Sequence, residues 1–192
     1  MIFETIVVTR SAAGETHITP LGIREQDGLT VLAPFRPSTT LDNLLATRCA
    51  TVNLTDDVRV FAGCLTGRRV WPLTASEQIG TPRLDGALTH RELELVRVED
   101  DELRPRVICR VVAQRSHAPF RGFNRAQAAV IEAAILVSRL HMLSPDKIDA
   151  EREYLRIAID KTAGPAEREA WGWLMERIDR HRGASMPGEE GA

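Results

Sequence analysis

Residues 2–35 carry three β-branched, apolar segments separated by turns only a few residues long, and strands joined so tightly can pair only antiparallel. IFETIVVTR (2–10) passes through Ala13-Gly14 into THITPLGIR (16–24), and Asp27-Gly28 turns the chain again into LTVLAPF (29–35). The period then changes. In STTLDNLLATR (38–48) Leu41, Leu44, Leu45 and Arg48 recur at helical spacing, and CATVNL (49–54) returns to strand. The front of the chain therefore reads as an antiparallel β structure interrupted by one short helix.

The middle is less regular. Residues 57–72 include VRVFAGCL and RRVWPL, pieces compatible with strand, turn or short helix, and 74–86 reads as a loop rich in Ser, Gly and Pro. The segments 87–99 and 103–114 alternate apolar and polar residues around Asp100-Asp101-Glu102, which predicts a β-hairpin with Pro105 at an edge or a strand start. From Phe123 the pattern is helical. Asn124 is placed to cap a helix running to about Leu143 that is apolar nearly all round and should be buried on more than one face. Ser144-Pro145 and Gly164-Pro165 start two further helices, with Leu155 and Ile159 set to face Trp171, Leu174 and Ile178 in a helical hairpin. The expected fold is α+β: a β domain over 1–122, a helical part over 123–182, and a disordered Gly-, Pro- and Glu-rich tail over 183–192.

Charge narrows the partners. With 25 basic and 27 acidic side chains the net charge is −2, which predicts neither nucleic acid nor an anionic membrane surface as partner. No apolar run reaches the ~20 residues of a membrane span. Met1-Ile2-Phe3-Glu4 lacks a basic leader, and Cys49, Cys64 and Cys109 are far apart and odd in number. Reduced thiols in a cytoplasmic protein are the expectation. Nucleotide-loop, zincin and nucleophile-elbow motifs are missing from the sequence, and its five histidines show no metal spacing. No residue is singled out as a catalytic acid or base, and no metal is expected.

Two segments have ligand chemistry. In APFRPSTTLDNL (33–44) Arg36 and the hydroxyls of Ser38, Thr39 and Thr40 gather where a helix begins, and unpaired N–H groups there favour an anion. A Ser/Thr cap beside an incidental arginine explains the same residues. Within THITPLG, Pro20 removes a ladder N–H and Gly22 a side chain, so Thr19-Pro20-Leu21-Gly22 leaves room for a flat ligand against the backbone. The second segment is HAPFRGFNRA (117–126). Arg121, Asn124 and Arg125 lie beside Phe120 and Phe123 at a helix start, either as a ligand contact or as an aromatic-anchored cap.

Taken in order, these pieces resemble the FMN-binding split-barrel proteins, which include flavin reductases and pyridoxamine-phosphate oxidases. They are most similar to a small subfamily of archaea and methylotrophic bacteria. The residues that carry the resemblance are Glu4-Thr5-Ile6-Val7, His17-Ile18-Thr19-Pro20-Leu21-Gly22, Pro34-Phe35-Arg36 with Ser38, Thr40 and Asn43-Leu44, Val52-Asn53-Leu54-Thr55-Asp56-Asp57, and Phe123-Asn124-Arg125-Ala126. The resemblance implies an antiparallel split β-barrel with flanking helices. It further implies FMN, with the ring along Thr19–Gly22, the phosphate at Arg36, Ser38, Thr39, Thr40 and Asn43, and Phe123, Asn124 and Arg125 completing the pocket. A homodimer, a small-molecule redox substrate or electron donor, and a link to tetrahydromethanopterin one-carbon metabolism are implied as well. The alternatives are a non-catalytic carrier of the same fold, or a deazaflavin or pterin in the same groove.

Overall fold

A computed structural model describes residues 1–185. Its first three strands are the expected meander: β1 (Phe3–Arg10), β2 (Thr16–Gln26) and β3 (Leu29–Leu32). Asp27 and Gly28 both take positive φ (52° and 75°), the backbone that lets a two-residue turn match the twist of its strands. Strand β3 stops three residues short of the expected 29–35, because Pro34 has no N–H for the ladder. The N–H of Arg36 instead donates to the carbonyl of Leu103 (2.9 Å), and the Arg104 guanidinium donates to the carbonyl of Ala33.

Helix α1 (Thr39–Thr47) and strand β4 (Cys49–Leu54) follow, then a two-stranded ribbon, β5 (Leu73–Thr74) with β6 (Arg83–Leu84), inside the stretch expected as loop. The late hairpin is β7 (Thr89–Glu99) and β8 (Arg106–Ser116), the latter starting immediately after Pro105. Six strands close into an antiparallel barrel in the order β1-β2-β3-β8-β7-β4. Inward-facing Val7, Ile23, Leu32, Ala50, Val52, Leu93 and Val107 fill it, and Leu41 and Leu44 of α1 join that cluster. Cys109 lies in the same interior, where burial pushes its thiol up to about 12.

The chain divides into two compact units, Met1–Asp56 with Arg69–Arg121, and Asp57–Arg68 with the residues from Gly122 onward. The expected boundary after residue 122 thus misses one insertion. VRVFAGCL is helix α2 (Val58–Leu65), capped by Asp57, and belongs to the helical unit. Helix α3 (Arg125–Ser138) ends five residues before Leu143, and a 3-10 turn at Leu140–Met142 leads to the Ser144 cap of α4 (Pro145–Thr162). Helix α5 (Pro165–Ser185) extends past the expected end at 182; the rest of the expected tail, 186–192, lies outside the described residues. In this unit α3 packs against α2, α4 and α5, which accounts for its all-round apolar surface within one chain. Leu155, Ile159, Leu174 and Ile178 share its core, with Trp171 packed against them. Among the described residues no helix is long and apolar enough to cross a membrane.

Candidate functional site

Helix α1 begins where the sequence places an anion site. Ser38 is its N-cap, extended in backbone, with Oγ accepting from the N–H of Leu41 (3.3 Å). That bond uses one of the first N–H groups, and those of Thr39 and Thr40 precede it without intrahelical acceptors. Thr39 is exposed and Thr40 buried. Just upstream, the Arg36 guanidinium pairs with Asp100 at 2.9 Å while keeping 41% of its side chain exposed. An exposed pair of this kind is worth about 0–1 kcal/mol, so an incoming phosphate can replace Asp100 at little loss. Asn43 is different. It is buried, and its Nδ2 donates to Thr9 Oγ1 (3.1 Å), tying α1 to β1.

The strand expected to line a flat ring has its two faces divided by the pleat. Thr19 and Leu21 point inward, Leu21 packing on the barrel core and accepting from Thr5 Oγ1 through its carbonyl (2.7 Å). Pro20 and Gly22 lie on the outer face, opposite Ile6 and Glu4. A Cβ at Gly22 would meet Ile2 Cγ2 at 2.7 Å, so Ile2, half exposed, occupies part of the room that the glycine leaves. Ser38, Thr39 and Thr40 stand at the start of α1 and Arg36 two residues upstream with its guanidinium on Asp100, while Thr19–Gly22 lie on the second strand of the same unit. On the same strand, burial and then Arg69 hold the His17 imidazole below its usual range.

The segment Phe123-Asn124-Arg125 belongs to the helical unit. Phe123 is fully exposed and Arg125 exposed. The amide of Asn124 is committed at both ends, its Oδ1 accepting from the N–H groups of Ala126 (2.7 Å) and Gln127 (3.3 Å) and its Nδ2 donating to the Thr162 carbonyl (3.1 Å). Asn124→Ser should keep the cap and lose the tie to α4, destabilising by about 1 kcal/mol in urea unfolding. A fall in ligand affinity with the fold intact would instead put Asn124 in a pocket.

Sequence reasoning missed the most buried polar cluster of the barrel unit. Asn53 and Thr51 on β4 lie opposite His90 and Glu92 on β7, all four on the outer barrel face and all buried. The strap between β5 and β6 is fastened to them. Thr51 Oγ1 donates to the Pro82 carbonyl (2.8 Å), and the N–H of Leu84 donates to Asn53 Oδ1 (2.8 Å). Glu92 accepts from the N–H groups of Glu77 (2.7 Å), Gln78 (2.7 Å) and Ile79 (3.1 Å). The polar positions of an alternating strand read as solvated; only the register, which brings Asn53 beside His90, marks them as an anchor.

Six antiparallel strands closed into a barrel and flanked by helices match the FMN-binding split-barrel fold. The family model "Protein of unknown function (DUF447) N-terminal domain" matches residues 3–118, and a second, "Protein of unknown function (DUF447)", matches 124–176. The chain belongs to the DUF447 family. A solved structure of an FMN-bound protein of that family from Methanosarcina mazei is 19% identical and superposes with a TM-score of 0.80, covering 92% of this chain and 94% of the other. An FMN-binding protein from Thermus thermophilus with bound p-hydroxybenzaldehyde is 23% identical, with a TM-score of 0.50, over 59% of this chain and 71% of its own. The styrene monooxygenase flavin reductase of Pseudomonas putida S12 is 17% identical, with a TM-score of 0.50, over 60% and 81%. No protein of curated function matches the sequence.

Proposed function

We propose that this chain is an FMN-binding flavoprotein and that its bound flavin takes part in oxidoreduction. The observation that carries this reading is the match, along nearly the whole chain, to a protein of the same family whose structure holds FMN. The residues present suit the group. A half-exposed guanidinium at Arg36, the cap hydroxyl of Ser38 and the leading N–H groups of α1 form a donor set for a phosphate dianion. Thr39 supplies an exposed hydroxyl there, and Pro20 and Gly22 offer a strand face that half-exposed Ile2 covers in part.

When bound, the flavin supplies the electron transfer, and the protein's part is to hold and orient it. Asn43 acts at one remove, holding α1 against β1 through Thr9. Phe123, Asn124 and Arg125 remain proposed contacts, brought to the flavin by a second copy. A homodimer in which each copy completes the other's pocket fits this reading. So does a location in the cytoplasm, with a small reductant or substrate as the partner.

A non-catalytic carrier is the competing reading. Mass spectrometry of the ligand that co-purifies identifies the cofactor, FMN being expected rather than a deazaflavin or a pterin. Anaerobic mixing with NADH, NADPH or reduced tetrahydromethanopterin derivatives then separates the two readings. Bleaching of the flavin absorbance near 450 nm within seconds supports an oxidoreductase, and a flavin that no reductant reaches supports a carrier.

A further inference from the structure

The buried carboxylate of Glu92 is the end of a hydrogen-bonded chain that reaches the surface. Both of its oxygens accept backbone N–H bonds, so it is ionised, and His90 Nε2 lies 3.2 Å from Oε1. An ionised carboxylate only accepts, which places a hydrogen on Nε2 of His90. Nδ1 of His90 is 2.9 Å from Nε2 of His117, and the two rings stack with centroids 5.1 Å apart. His90 is 1% exposed and Glu92 0%, whereas His117, just beyond the end of β8, is exposed. Among the described residues no lysine or arginine is bonded to Glu92.

We propose that His90 and His117 are a proton-loading pair whose added proton resides on buried His90, where it tightens Glu92's hold on the strap. The step balances without another reactant. A proton from water binds Nδ1 of His117 as the Nε2 proton of His117 passes to Nδ1 of His90. His117 stays neutral, and His90 becomes an imidazolium against the carboxylate. The surrounding charges agree. Glu77 of the strap, Arg83 of β6 and Asp85 just after it act on His117, β8 contributes Arg115, itself paired with Glu77 at 2.7 Å, and β4 presents neutral Asn53 and Thr51. Partial burial, then Arg83 and His90, hold the His117 imidazole below its ordinary range, which disfavours charge on the outer ring. The consequence reaches a cavity of about 430 Å³ whose wall is Gln78, Ile79 and Gly80 of the strap, facing Arg48, Cys49 and Arg110. As pH falls and the pair takes up its proton, that wall becomes more firmly held.

The test is a pH series on the full chain by nuclear magnetic resonance, without ligand. Ring ¹⁵N shifts should show both nitrogens of His90 protonated at the acid end while His117 stays neutral. Over the same range the exchange protection of the Glu77, Gln78 and Ile79 amides should rise at least threefold relative to the Leu84 amide, whose acceptor, Asn53, does not titrate. His90→Gln should abolish that rise; should this variant not fold, the wild-type series decides alone. Charge on His117 with His90 neutral, or protection at 77–79 that follows Leu84 throughout, would overturn the proposal.

Discussion

Glu92→Ala should destabilise the protein by about 4 kcal/mol in equilibrium urea unfolding, the largest effect expected of any polar substitution in the barrel unit. The substitution removes the acceptor of three backbone N–H groups that are held under the strap at 2.7, 2.7 and 3.1 Å, and it removes the partner of His90. Each orphaned donor loses a charge-assisted bond, and the strap cannot re-pair all three with water while it stays in place. Glu92→Gln, which keeps one carbonyl oxygen but turns an NH₂ group toward the N–H donors, should fall in between. The same carboxylate shapes the acid limb of stability. Burial pushes its pKa up, but the N–H groups of Glu77 and Gln78, then His90 and Ile79, pull it down further, and the net direction is down. A depressed folded-state pKa contributes stability that is complete above the unfolded value of about 4.3 and is lost as pH falls through the folded value. Glu92→Ala should therefore flatten the stability-versus-pH curve below about pH 4.5. An unchanged acid limb would mean that other carboxylates control it.

Leu44→Ala should lower stability by about 3–4 kcal/mol, because Leu44 is fully buried where α1 meets the barrel core and its loss leaves a cavity in a closed interior. The effect should spread to the candidate phosphate site. Helix α1 is held by Leu41, Leu44 and the Asn43–Thr9 bond, and it carries Ser38–Thr40 at its start. Loosening it should raise amide exchange at Thr39 and Thr40 and weaken flavin binding. A thermal melt and a flavin titration of the same preparation check both parts. Destabilisation with unaltered flavin affinity would separate α1 from the cofactor.

Much of the barrel was legible because its signals are local. Asp27-Gly28 specifies a turn, Ser38 a helix start and Pro105 a strand start, each through the backbone of one or two residues. The helix at Val58–Leu65 was not, since VRVFAGCL is β-branched at its start and only its position after the Asp57 cap decides for helix. The same limit applied at the site. Ser38, Thr39 and Thr40 stand together in sequence, so their place at the start of α1 could be anticipated, whereas the pairing of Arg36 with Asp100 could not. Asn43 and Asn124 were carried into the site by the resemblance, and each amide donates within the protein. The Glu92 anchor was invisible for a different reason. His90 and Glu92 occupy positions that alternation assigns to solvent, and only the pairing with β4 and the return of the strap bury them.

The account stands most directly on the claim that Arg36 and the start of α1 hold a phosphate. Titrating wild type and Arg36→Ala with FMN and with riboflavin, followed by flavin fluorescence, isolates that contact, since the two ligands differ only in the phosphate. One lost charge-assisted contact should weaken FMN roughly 10- to 100-fold and leave riboflavin affinity unchanged. Equal affinity of both proteins for FMN, or an equal loss for FMN and riboflavin, would contradict it.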